Sequence, residues 1–148
     1  MTDTDLISRV KAFVTAAHAG QVDKGGKPYV EHPLAVAAAF EDETAVTVAL
    51  LHDVLEDTAC TEADLLALGI GPRALDALRL LTRQKGEDYG DYLRRLAPDP
   101  LARAVKCADL RHNADLSRIP SPTARDVARA RKYRDALAFL LSFDADAR

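Results

Sequence analysis

The dipeptide His52-Asp53 lies in Ala49-Leu50-Leu51-His52-Asp53-Val54-Leu55-Glu56-Asp57-Thr58. An imidazole beside a carboxylate offers two donors to a cation, and two more carboxylates follow. On a regular helix, residues four apart share a face, so the spacing predicts His52 over Glu56 and Asp53 over Asp57. Ala49, Leu50, Leu51, Val54 and Leu55 anchor the same segment in a core. Polar groups buried without partners are costly, and a bound cation is the simplest compensation. A cation among such groups points to phosphate-ester chemistry.

One such pair is weak evidence, and it gains weight from further ligands elsewhere. His32 lies in Pro28-Tyr29-Val30-Glu31-His32-Pro33. Asp109 lies in Val105-Lys106-Cys107-Ala108-Asp109-Leu110-Arg111-His112-Asn113. This acid sits in an apolar stretch, with Lys106 one turn before it and Asn113 one turn after it on the same helical face. His18 and His112 read as hydrogen-bonded packing residues rather than ligands.

In these residues the chain resembles the HD-domain hydrolases of the RelA/SpoT alarmone system, most closely the small stand-alone alarmone hydrolases. The matching stretches are residues 17–33, the His52-Asp53 segment with Glu56-Asp57, and Val105-Lys106-Cys107-Ala108-Asp109 with His112-Asn113. Arg129 and Tyr133, one helical turn apart, complete them. The resemblance runs in order through nearly the whole chain and implies an all-α HD fold. It also implies His32, His52, Asp53 and Asp109 as ligands of Mn²⁺. Two imidazoles and two carboxylates suit a borderline-hard divalent ion, Mn²⁺ first and then Fe²⁺, Co²⁺ or Zn²⁺. By the same carry-over, Glu56 is the general base and Asp57 orients the attacking water. Lys24, Lys106, Asn113, Arg129 and Tyr133 are the expected substrate-binding residues. The implied reaction removes the 3′-pyrophosphate of guanosine 3′,5′-bis(diphosphate) (ppGpp). Two alternatives stay open: the same chemistry on another phosphorylated nucleotide, and an alarmone-binding module without catalysis. One departure stands out. The resembled hydrolases commonly carry Arg-Lys where this chain has Asp23-Lys24. Without an arginine to stack on the base, base recognition is expected to be weakened or changed. Asp23 itself is expected to accept from a guanine edge or to face solvent.

The elements that must position these residues read as helices. Ala and Leu dominate and aromatics are few, which favours a helical bundle over a sheet. Apolar periodicity and end signals predict helices over residues 4–19, 33–40, 43–56, 61–69, 72–83, 88–96, 100–116 and 123–142, with no strand. Residues 20–31 form a polar loop around Gly25-Gly26. Thr61 with Asp64, Gly69, Pro72 and Asp99-Pro100 supply the caps and first-turn residues. The expected architecture is a single-domain HD-type bundle of seven or eight helices spanning residues 1–148. Synthetase or regulatory domains do not fit in this length.

Composition narrows the partners. No run of about 18 apolar residues exists, so no membrane span is expected. Met1-Thr2-Asp3-Thr4-Asp5 is acidic and lacks the apolar region of a signal peptide. Cys60 and Cys107 form no ligand-like pair and read as reduced thiols of a cytoplasmic protein. Residues 1–66 carry 4 basic and 12 acidic side chains, whereas residues 101–134 carry 9 basic and 3 acidic ones. An acidic half suited to a cation thus faces a basic half suited to phosphates. Arg103, Arg118, Arg125, Arg131 and Arg134 read as a solvated helix face. No basic run with interleaved aromatics appears, so the expected partner is a small phosphorylated nucleotide and not a nucleic acid. A homo-oligomer stays open.

Overall fold

The computed structural model describes the backbone of residues 3–146 and the side chains of residues 5–143. The reading of Met1-Thr2 as part of an acidic N-terminus lies outside them. Among the described residues the chain forms α1 (Asp3–Ala17), α2 (Glu31–Ala37), α3 (Glu43–Leu51), α4 (Val54–Asp57), α5 (Glu62–Leu68), α6 (Pro72–Leu81), α7 (Tyr89–Leu96), α8 (Pro100–Asn113) and α9 (Ala124–Asp146). No strand forms among these residues, only an isolated bridge between Val22 and Pro28 in the loop after α1. All eight expected segments are present, and one of them is split into α3 and α4.

The end signals act as expected. Thr61 and Asp64 close a full capping box on α5, and Gly69 ends that helix with a left-handed φ of 93°. Asp99 accepts from the backbone N–H groups of Leu101 and Ala102, and Pro100 takes the first turn of α8. Pro33 sits inside the first turn of α2, where a missing N–H leaves no helical bond unmade. Several ends differ from expectation: α1 stops at Ala17, α2 runs Glu31–Ala37, and α9 continues to Asp146. Helix α6 stops at Leu81, because the Thr82 hydroxyl takes the Leu78 carbonyl and Glu56 takes the Arg83 N–H. Helix α8 stops at Asn113, and residues Leu116–Arg118 form a 3₁₀ turn capped by the Asp115 carboxylate.

Helix α3 lies at the centre, against α1, α2, α6 and α8. Its Val48, Ala49, Leu50 and Leu51 are fully buried, as befits a helix apolar on nearly every side. Helix α8 packs on α2, α3, α6 and α9. The ends of α2, α3 and α8 therefore meet inside the bundle, and each brings polar groups to that point. Arg103 is not on a solvated face: it is buried and donates to the Ala97 carbonyl at 2.6 Å. Cys60 and Cys107 are not disulfide-bonded. Among the described residues no helix is long and apolar enough to cross a membrane.

Candidate active site

The segment expected as one helix over residues 43–56 breaks at His52-Asp53. The His52 imidazole turns back and donates from Nδ1 to the Ala49 carbonyl at 2.6 Å. The backbone leaves the regular helix there, and Asp53 takes φ −104° and ψ −7°. Neighbours on a regular helix point about 100° apart. The break instead brings His52 Nε2 and the Asp53 carboxylate to 3.1 Å. The break falls before α4, so Asp53 keeps its turn with Asp57: the Asp57 N–H donates to the Asp53 carbonyl at 2.9 Å, and both carboxylates face the Tyr29 hydroxyl.

The four expected metal ligands converge. His32 Nε2 lies 2.7 Å from Asp109 Oδ1 and 3.8 Å from Asp53 Oδ2, and His52 Nε2 lies 3.2 Å from Asp109 Oδ1. One donor atom from each of His32, His52, Asp53 and Asp109 lies within 4.8 Å of the others. Hydrogen bonds behind the rings place the protons. His52 spends its Nδ1–H on Ala49, so Nε2 is the nitrogen left to face a cation, whether a proton or a metal ion. His32 Nδ1 faces His112 Nδ1 at 2.6 Å. Burial, with Arg118 and His32 nearby, lowers the pKa of His112 to about 4, so at neutral pH it is uncharged, and in one tautomer it accepts at Nδ1. In that tautomer His32 donates from Nδ1, and its Nε2 is left to face the cluster. Four electron-pair donors thus face one another and require positive charge between them. Burial alone would lower the pKa of His52, but the Asp53 and Asp109 carboxylates hold it well above the usual imidazole range, which expresses the same demand. Donors about 2.1 Å from a common ion lie about 3–4 Å apart, so the observed spacing fits a divalent cation.

The surroundings are polar and ordered. Lys106 donates to Asp109 Oδ2 at 2.8 Å, and Asn113 donates to Asp109 Oδ1 at 3.0 Å, as their spacing on α8 predicts. The Tyr29 hydroxyl donates to Asp53 Oδ2 at 2.6 Å and lies 3.4 Å from Asp57 Oδ2. Burial and the Asp53 charge push the Tyr29 phenol up, so it stays a donor. Burial, and then the Asp53 and Asp57 charges, also raise Glu56 above the usual carboxyl range against the Arg83 N–H it accepts. Burial and Asp53 raise Asp57.

Two cavities meet at this cluster. The smaller, of 190 Å³, is lined by Tyr29, His52, Asp53, Glu56, Arg83, Lys106, Asp109 and Asn113 among others. The larger, of 390 Å³, holds Lys24, Arg129 and Tyr133, with Tyr29, His32 and Asn113 at its inner end. Asp57 lines neither, and opens with Glu56 onto a separate surface groove. Arg129 is tied to Asp126 within α9. Asp23 is not a free carboxylate: both oxygens already accept hydrogen bonds, while the side chain keeps 12% exposure and lines the larger cavity. Its Oδ1 accepts from the N–H groups of Gly25 and Lys27 at 2.8 and 3.0 Å, and its Oδ2 accepts from Arg118 at 3.1 Å. The physical reason is the tight turn around Gly25-Gly26, which folds its amides onto the carboxylate. Arg118, read above as part of a solvated face, therefore lines the larger cavity as well.

No model of a known protein family matches the chain. Curated proteins do match. The chain is 37% identical over 111 residues to the guanosine-3′,5′-bis(diphosphate) 3′-pyrophosphohydrolase of Haemophilus influenzae, across 66% of this chain and 16% of that protein. It is 33% identical over 147 residues to the bifunctional (p)ppGpp synthase/hydrolase RelA of Mycobacterium tuberculosis, across 91% of this chain and 19% of that protein. The chain belongs to the HD-domain RelA/SpoT superfamily. It spans less than a fifth of the length of either of these relatives. A solved structure of a metazoan ortholog of SpoT, described as hydrolyzing ppGpp and playing a role in starvation responses, has the same fold. Its TM-score is 0.73 at 24% identity, covering 92% of this chain and 85% of that one.

In this RelA/SpoT-type HD domain three residues at the site escaped the sequence reading of roles. Tyr29 precedes His32 by one turn's spacing, which was a usable signal. His112 follows Asp109 by three residues and was read as packing; it packs, but against a cluster histidine. Arg118 had no local signal, because its partner lies 95 residues away.

Proposed function

We propose that this chain is a metal-dependent phosphohydrolase that removes the 3′-pyrophosphate of ppGpp, giving GDP and pyrophosphate. The observation that carries this assignment is the convergence of His32, His52, Asp53 and Asp109 where two cavities meet, one holding Lys106 and the other Lys24 and Arg129. The name of the Haemophilus influenzae relative supports the substrate. His32, His52, Asp53 and Asp109 would hold the ion, Mn²⁺ first on the mixed nitrogen and oxygen donor set. When bound, such an ion polarises a phosphoryl oxygen and acidifies water. Lys106 and Asn113 set the charge and orientation of Asp109 and border the cleaved phosphate. Arg129 and Tyr133 clamp a phosphate from α9, and Lys24 meets it from the loop. Glu56 accepts the proton of the attacking water, a role suited by its raised pKa, and Asp57 orients that water through the group shared with Tyr29. The two cysteines outside any disulfide accord with a cytoplasmic setting.

The Asp23–Arg118 pair in the larger cavity favours a second reading, the same chemistry on another phosphorylated nucleotide. A nucleotide panel incubated with and without Mn²⁺, followed by product chromatography, separates the two. The expected result is GDP and pyrophosphate from ppGpp only with metal. Mn²⁺ at a hundredfold excess over its Kd should also stabilise the protein by about 2.7 kcal/mol, and His52→Ala should abolish that gain. Full activity of Asp53→Ala would refute the assignment.

A further inference from the structure

The larger cavity has a wall that hydrolysis leaves without a task. Asp23, on the loop after α1, and Arg118, at the end of the 3₁₀ turn, pair across it at 3.1 Å. Arg118 also donates from its other terminal nitrogen to the His112 carbonyl at 2.9 Å. Its guanidinium is thus held along one edge by two acceptors from different segments. The side chain keeps 25% exposure and lines the cavity. The two loops touch at backbone level, since a Cβ on Gly25 would collide with the Arg118 carbonyl oxygen. Val22, Leu116 and Ile119 line the same wall, beside Tyr133.

A phosphate seeks a cation with free donors and no neighbouring carboxylate. Arg118 differs: both terminal nitrogens already donate, a carboxylate lies beside it, and Val22, Leu116 and Ile119 line the same cavity. A flat heteroaromatic ring suits that setting, because guanidinium planes stack on nucleobases and an uncharged ring tolerates the nearby acid. We propose that the Asp23–Arg118 pair forms a nucleobase platform, with Arg118 lying on the face of the base and Asp23 acting as the positioning residue that holds the guanidinium flat. This rests on the assignment of the site to a phosphorylated nucleotide. The base would occupy this larger cavity against Val22, Leu116 and Ile119, while the phosphates reach the cluster past Tyr29, His32 and Asn113.

Equilibrium binding of GDP and of inorganic pyrophosphate to the full chain in Mn²⁺ buffer tests it. Arg118→Ala should weaken GDP binding roughly 2- to 30-fold and leave pyrophosphate binding unchanged. Asp23→Asn should weaken GDP less, and the double variant should match Arg118→Ala, because the acid acts only through the arginine. Arg118→Lys keeps the charge and loses the plane, so it should not restore GDP binding; it also carries the test if Arg118→Ala does not fold. GDP affinity unchanged in these variants, equal losses for GDP and pyrophosphate, full rescue by lysine, or a wild type that binds no GDP would each overturn the platform. Turnover of ppGpp reports separately. Binding of GDP through Arg118 without ppGpp cleavage refutes the hydrolytic assignment and leaves the platform standing. Cleavage with an unchanged KM in Arg118→Ala does the reverse.

Discussion

Asp109→Asn and Asp53→Asn remove the same charge from the same cluster, yet their costs to folding should differ widely. Asp109 is buried, and its Oδ2 lies 2.8 Å from the ammonium of Lys106. The Lys106 side chain is only 14% exposed, and its nitrogen lies 5.4 Å from the Tyr92 ring. Without the carboxylate, that ammonium stays nearly buried with a neutral amide oxygen and an aromatic face in place of its counter-ion. Breaking one half of a buried ion pair costs about 3–5 kcal/mol. For a domain of about 150 residues each kcal/mol moves Tm by roughly 2–4 °C, so Tm should fall by roughly 6–20 °C. Asp53 is 21% exposed, and its close hydroxyl partner, Tyr29, can donate equally to an asparagine carbonyl. Its loss should stay near 1 kcal/mol. The assay is urea and thermal unfolding of chelator-treated protein, so that metal loss does not enter. The double variant Lys106→Met/Asp109→Asn should recover much of the deficit, because no unpaired charge then remains. Equal destabilisation by the two asparagines, or simple additivity in the double variant, would refute the account of the Lys106–Asp109 pair.

Glu56→Gln should retain bound metal while kcat falls about 10²–10⁴-fold, and wild-type kcat should rise with pH through the mildly acidic range as the raised carboxyl ionises; metal loss in parallel with activity would count against the base assignment. The same substitution should stabilise the chelated protein at neutral pH. The fold disfavours the charged form, so that penalty is absent below the unfolded carboxyl pKa and complete above the folded one. Asp99→Ala should cost about 0.5–2 kcal/mol as a lost cap on α8. Arg73 and the α8 amides outweigh burial and hold Asp99 below its ordinary pKa, so its stabilisation is full above that ordinary value and fades as pH falls through the lowered one. Acid titrations of stability for wild type and variant should therefore converge at low pH.

What could be read along the chain was whatever a single helix sets by its own period. Lys106, Asp109 and Asn113 are three and four residues apart, so any regular helix stacks them, and α8 does. Thr61 with Asp64, and Asp99 with Pro100, name their helix starts because capping needs only the adjacent amides. The apolar periods marked all eight helical segments for the same reason. Tertiary structure decided the rest. His52 and Asp53 would diverge on a regular helix; they converge because the imidazole captures the Ala49 carbonyl and the backbone breaks there. His32 meets His112 across 80 residues, and Asp23 meets Arg118 across 95. No local period encodes such pairs. They follow from how α2, α3 and α8 pack and from two loops brought close enough that Gly25 leaves no room for a side chain. Asp23 shows the difference most plainly. Its residue type announced an anion in the polar loop after α1, but only the packed bundle placed a guanidinium against it.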